Sequence, residues 1–279
     1  MKRNLLHALI FLTVFAGTFW LLKDDVGKKT KGMRNPPREV RAWAPGDSAL
    51  VDSLVVRGAD RAFTCALFSD LRFGIDDDIA ARFTIKDSAR TKKRLKPYWW
   101  LFTKASIMRG REFIAVHRKF LDSVGHPYGV PPHILAAVLR AESNFGFDSG
   151  KDTVVKVLYT RVRYVAEKQQ SEELDQFACV IRMVTEREFD CFALVGSWGS
   201  AFGYPQFRPC SYLAYAVDGN GDGTADLFVL DDAIPSIANY LYAHGWSERE
   251  LHQLKALRAY NRGSYAGAVM AYASRISSE

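Results

Sequence analysis

Leu135, Val138 and Leu139 recur at the i, i+3, i+4 spacing of a helix face, and the next position on that stripe is Glu142. Pro131-Pro132 is a helix start and Gly146 a helix stop. The carboxyl is therefore expected in a last turn, against apolar neighbours and at the edge of a loop. Desolvation there raises a carboxyl pKa, and the negative end of the helix dipole pushes the same way. A carboxyl kept protonated near neutral pH is a general acid, able to protonate the leaving oxygen of a glycosidic bond. The plainer alternative is a helix-end glutamate paired with Arg or Lys, and spacing alone does not separate the two.

A second group of residues lies downstream. Gly196 to Phe207 (GSWGSAFGYPQF) is dense in glycine, small hydroxyls, one amide and aromatic rings. Glycine lets the backbone approach a ligand closely, and aromatic faces with a few fixed polar groups suit sugar rings. Tyr260-Asn261 precedes another Gly/Ser/Tyr stretch. A third group, Asp218, Asn220, Asp222, Gly223, Thr224 and Asp226, fits the first nine positions of an EF-hand loop. Oxygen ligands fall at 1, 3, 5 and 9, glycine at 6, and a backbone carbonyl is expected at Thr224. Position 12 is Val229, which has no carboxylate, although Asp231 and Asp232 follow shortly. Calcium in a structural role is the expectation, and a metal-free Asp/Gly turn is the alternative.

The elements that must hold these groups read as mostly helical. Short helices are expected over 48–86, an amphipathic helix over about 109–124, the helix opened by Pro131-Pro132, a helix over 172–189, and a final amphipathic helix. The expected organisation is an export segment at 1–22, a Lys/Gly/Pro-rich linker at 23–47, a helical N-terminal extension at 48–91 and a catalytic domain at 92–279.

Of the 279 residues, 48% are apolar and 25% charged, the profile of a packed globular protein. The net charge is +7. Residues 1–34 hold seven of the basic and two of the acidic residues, which leaves +2 for the rest. A basic face for nucleic acid is not indicated, and the run Arg90 to Lys96 reads as a solvated face or loop. Lys2 and Arg3 precede an uncharged stretch from Leu5 to Leu22, which fits either a signal cleaved after Ala16 or an uncleaved membrane anchor. Either would place the body outside the inner membrane. No cysteine stands near residue 17 for lipid attachment. Cys65, Cys179, Cys191 and Cys210 form no C-x-x-C, which argues against zinc. Two disulfides are permitted; Cys191–Cys210 is favoured, because a helix over 172–189 keeps Cys179 away from Cys191.

In order and spacing, several strings resemble the lytic murein transglycosylase B family. They are Tyr128-Gly129-Val130-Pro131-Pro132, Ala141 to Gly146 (AESNFG), Gly150-Lys151, Gly196-Ser197, Gly203 to Pro209 (GYPQFRP), Asn239-Tyr240, Ala243 to Trp246 (AHGW) and Tyr260-Asn261. The resemblance covers about residues 92–276. It implies an α+β, predominantly helical, lysozyme-like domain acting on peptidoglycan glycan strands in the periplasm, with attachment to an inner or outer membrane through the N-terminal segment. It implies cleavage between N-acetylmuramic acid and N-acetylglucosamine, with Glu142 as the one catalytic carboxyl and a 1,6-anhydro product. It also implies that Ser197, Tyr204, Gln206, Tyr260 and Asn261 line the cleft, and that Asp232 completes an elongated calcium loop with Asp218, Asn220, Asp222 and Thr224. The chain departs from the family in reading Tyr164-Val165-Ala166-Glu167 where Tyr-Pro-Arg-Arg is common, and in carrying Cys210 for a usual serine. Two other functions are open at this point. A hydrolytic muramidase would need a second carboxylate, with Asp148 or Asp152 as candidates. A non-catalytic wall-binding protein would gain nothing from a buried acid.

Overall fold

The computed structural model describes residues 39–84, 98–187 and 189–277. Val40–Glu279 forms one compact unit. The export segment Leu5 to Leu22 and the basic run Arg90 to Lys96 lie outside the described residues. Among the described residues, no helix is long and apolar enough to cross a membrane.

Three short helices come first: α1 (Asp47–Val56), α2 (Arg61–Ser69) and α3 (Asp77–Thr84). They are followed by α4 (Lys104–Gly125), α5 (Pro132–Ser143), α6 (Val154–Tyr164) and α7 (Glu167–Arg187). The remainder are α8 (Pro209–Tyr215), α9 (Leu230–Ala243), α10 (Glu250–Tyr260) and α11 (Tyr265–Ser277). Two short strands, β1 (Asp152–Thr153) and β2 (Val195–Gly196), pair antiparallel with Asp152 opposite Gly196 and Thr153 opposite Val195.

The helices pack around two apolar clusters. In one, Leu54, Phe68, Tyr159 and Phe177 bring α1, α2, α6 and α7 together with loop residues such as Phe202, Phe207 and Leu227. In the other, Leu121, Leu135, Leu139, Tyr265 and Tyr272 join α4, α5, α9, α10 and α11. The N-terminal helices thus complete the first core, sharing it with α6 and α7. Ahead of them, Arg41 donates to Asp47 and Tyr159, and Asp47, fully buried, also takes a hydrogen bond from Arg163. Residues 41–47, expected to end a linker, are fixed to the body by this cluster.

Helix α5 is buried from Ile134 to Arg140, on more of its circumference than the single stripe foresees, because α4, α9 and α11 all pack on it. Helix α4 starts earlier than periodicity suggests, where the Thr103 side chain accepts the Ser106 N–H and caps it. Helix α7 also starts earlier, since its first turns are polar on every side and carry no hydrophobic period.

The favoured Cys191–Cys210 pairing is wrong. Cys179 bonds Cys210, with Cα atoms 5.2 Å apart, and Cys191 is a buried free thiol. The reason is the packing of α8 across α7, which seats the first turn of α8 on the middle of α7. The exclusion of a Cys179–Cys191 bond was sound but did not settle which of the two meets Cys210.

Candidate active site

Glu142 occupies the last turn of α5. The helix ends at Ser143, three residues before the expected glycine stop. Asn144 takes the left-handed conformation as the C-cap (φ 54°), followed by Phe145 (φ 62°) and Gly146 (φ 88°). A phenylalanine at positive φ is costly. Phe145 is held there by stacking on Phe113, with ring centroids 4.5 Å apart.

The Glu142 carboxyl has no ion pair among the described residues. Its Oε1 is buried without a hydrogen-bond partner among the described residues. Burial pushes its pKa up to about 7, and the nearby Tyr265 hydroxyl tempers the rise. That hydroxyl is itself buried without a hydrogen-bond partner among the described residues. Four tyrosines respond to the carboxyl's charge. Burial chiefly, and Glu142 next, raises Tyr98, Tyr260 and Tyr265 above the usual phenol range; burial, then Tyr215 and then Glu142, pushes Tyr240 up to about 12. The phenols form a connected wall. Tyr260 stacks on Tyr265 at 6.0 Å and meets Tyr240 edge-on at 4.7 Å, while Tyr98 meets Tyr265 edge-on at 5.8 Å. Tyr260 donates to the Pro205 carbonyl and Tyr240 to that of Ala259. A proton-bearing carboxyl inside a neutral, weakly polar wall is arranged to give its proton away. The helix-end ion pair that was the alternative is not formed among the described residues.

The glycine-rich loop reaches this wall. Gln206, at φ 52°, donates its amide to the carbonyls of Ser149 and Gly203. The Tyr204 ring lies against Gly146, where an added Cβ would come within 2.7 Å of it. Ser197 sits in a tight turn, its N–H to the Ala201 carbonyl at 2.7 Å and its Oγ accepting the Ala201 N–H. Gly150 (φ 90°) lets the chain after α5 press on this turn: a Cβ there would be 2.1 Å from the Gly196 carbonyl carbon. Tyr260 and Asn261 end α10, with the Asn261 side chain exposed. Tyr204, Gln206 and Tyr260 are therefore tied to the surroundings of Glu142. Ser197 and Asn261 make no hydrogen bond to it. No second carboxylate contributes to the shift of Glu142, and Asp148 is exposed while Asp152 lies in β1.

Sequence reasoning did not single out Tyr98, Tyr240 or Tyr265, nor a buried ion cluster behind the loop. Glu173, on α7, is almost fully buried and takes hydrogen bonds from Arg161 and Arg208, each at 2.6 Å. The signal that finds Glu142 also exists here. Glu173 precedes Phe177, Val180 and Val184 at i+4, i+7 and i+11, on a buried face.

The acidic loop is closed by its own backbone. Asp218 accepts the N–H groups of Gly221, Asp222 and Gly223, and Asp222 accepts that of Thr224. Asp232, fully buried at the start of α9, accepts the N–H groups of Gly219, Asn220 and Asp226. Asp232 thus braces the loop backbone. The donors are all hard oxygens of the kind calcium takes, but no three His, Cys, Asp or Glu side chains converge on one point among the described residues.

A family profile described as "Transglycosylase SLT domain" matches residues 48–262. Over 146 residues the chain is 36% identical to membrane-bound lytic murein transglycosylase B of Escherichia coli (strain K12); the match spans 52% of this chain and 40% of that relative. The fold resembles the E. coli lytic transglycosylase Slt35 solved in complex with calcium, with a TM-score of 0.72, 21% identity, and coverage of 88% of this chain and 98% of the other. It also resembles SltB3 of Pseudomonas aeruginosa solved with NAG-anhNAM-pentapeptide, with a TM-score of 0.70, 20% identity, and coverage of 83% and 78%.

Proposed function

Given that the chain belongs to the transglycosylase SLT-domain family, we propose that it cleaves the bond between N-acetylmuramic acid and N-acetylglucosamine in peptidoglycan without water, leaving 1,6-anhydromuramoyl ends. The observation that carries this reading is Glu142, half-buried, with its Oε1 sealed from solvent and unpartnered among the described residues and its pKa pushed up to about 7. It donates its proton to the leaving glycosidic oxygen as positive charge develops at the sugar ring. Now ionised, it accepts the proton of the muramoyl C6 hydroxyl, which closes the anhydro ring. The hydroxyl is part of the substrate and acts at high effective molarity. Tyr204, Gln206 and Tyr260 line the cleft beside Glu142, and Ser197 and Asn261 orient the sugar from the flanking turns.

Hydrolysis of the same bond would require a second carboxylate to activate water or capture the sugar. The charge environment of Glu142, which lacks one, favours the internal hydroxyl. Digestion of purified peptidoglycan with mass analysis of the products tests the reading. Anhydro ends are expected, reducing ends would replace the proposal with a muramidase, and no products would leave a wall-binding protein.

The residues 218–232 loop holds calcium in this reading, with Asp218, Asn220, Asp222, the Thr224 carbonyl and Asp232 as the donors. Calcium fixes the loop between α8 and α9 and takes no part in the proton transfers. The stretch Leu5 to Leu22 either anchors the enzyme in the inner membrane or directs its export, and the catalytic unit works in the periplasm.

A further inference from the structure

Glu173 lies behind the glycine-rich loop, and its almost fully buried carboxylate is shared by two arginines from different segments. Its Oε1 takes Arg161 of α6 and its Oε2 takes Arg208, the residue that begins α8. Each arginine reaches on to the loop. Arg161 donates to the Trp198 carbonyl at 3.5 Å, with its guanidinium 5.5 Å from the Trp198 ring centroid. Arg208 donates to the hydroxyl of Ser200, a fully buried residue held at φ 64°. Trp198 follows Ser197, and Arg208 follows Gln206 by two residues, so the contacts bracket both polar side chains. The Cys179–Cys210 bond ties α7 to the chain two residues after Arg208.

We propose that Glu173 is a positioning residue for catalysis: through Arg161 and Arg208 it sets the conformation of residues 197–208 that presents Ser197 and Gln206 to the sugar beside Glu142. This rests on the transglycosylase reading. Glu173 does not touch the substrate. Its carboxylate lies between two guanidinium groups that would otherwise face each other; each arginine also donates once to the loop, and Arg208 gives a further hydrogen bond to Glu172. Loop and acid are then fixed relative to each other, since Gln206 is bonded to the chain that leaves α5.

The test uses the full unit with Glu173→Gln and with the apolar replacement Arg161→Met/Glu173→Leu/Arg208→Met. The second variant leaves no unpaired buried charge, so it folds even where the first does not. Soluble glycan strands report kcat and KM, and amide hydrogen exchange reports the loop. The expected result is a fall in kcat of about 10–100-fold, the scale of a misplaced contact, with KM changed less than about threefold. Exchange should accelerate at residues 197–207 and stay unchanged in the middle of α7. Glu173→Asp, which keeps the charge, should recover most of kcat. A folded variant with kcat within about twofold of the unmutated protein, or with unaltered exchange in the loop, overturns the proposal. An unmutated protein that yields no anhydro products defeats the transglycosylase reading instead, and the exchange measurement still reports whether Glu173 holds the loop.

Discussion

Glu142→Gln is expected to abolish turnover and, at alkaline pH, to stabilise the fold. The folded pKa is about 7, against 4.5 for the free side chain. Between those values the unfolded chain releases a proton that the folded chain keeps. The folded state binds more protons, so stability falls as pH rises through this window. The folded protein carries this group's full benefit below about pH 4.5 and has lost it above about pH 7. Integrating between pH 5 and pH 8 gives a loss of about 2.5 kcal/mol at most. Glutamine has the shape of the protonated acid and does not titrate, so the variant escapes this loss. Any fixed cost or gain from the extra N–H groups is the same at both pH values and cancels in the comparison. For a unit of this size, 1 kcal/mol moves the melting temperature by about 2–4 °C. The variant's melting temperature relative to the unmutated protein should therefore rise by about 5–10 °C between pH 5 and pH 8, read by calorimetry in matched salt. An offset that does not change with pH would mean that Glu142 is ionised in the folded protein, and the general-acid argument would fail with it.

In the pH profile of kcat/KM, activity should fall about tenfold per unit above pH 7, where Glu142 loses its proton; Tyr265→Phe removes the hydroxyl that tempers the pKa and should move this limb to higher pH. A limb that Tyr265→Phe leaves in place would separate it from Glu142. Chelation should lower the melting temperature, calcium should restore it, and Asp218→Ala should blunt both, since a ligand that binds only the folded state stabilises by RT ln(1 + [L]/Kd); a transition indifferent to chelator and calcium would reduce the loop to a turn. Full-length protein should fractionate with membranes, while a version beginning near Gly32 should be soluble and active; a mature N-terminus at Gly17 would show a cleaved signal in place of an anchor.

The catalytic candidate was legible because a helix imposes a period. A carboxylate at the i+7 position of an apolar stripe is visible as an exception to a rule that the neighbouring residues obey. The same rule points to Glu173 on α7, at the head of the buried face carried by Phe177, Val180 and Val184. Local turn chemistry was legible too, in Pro131-Pro132 before α5 and in the acidic loop whose carboxylates bond their own backbone. The rest of the wall around Glu142, beyond Tyr204, Gln206 and Tyr260, was not. Tyr98, Tyr240 and Tyr265 come from three separate segments, and the packing of α9 and α11 on α5 brings them together with Tyr260. An apolar stripe predicts burial but does not say whether the group that finally faces a carboxyl is a phenol, an arginine or water, and that choice decides its pKa. Cysteine pairing failed for the same reason. The partner of Cys210 is fixed by the crossing of α8 over α7, a contact between residues 31 positions apart in the chain, and no periodicity within either helix carries information about how two helices cross.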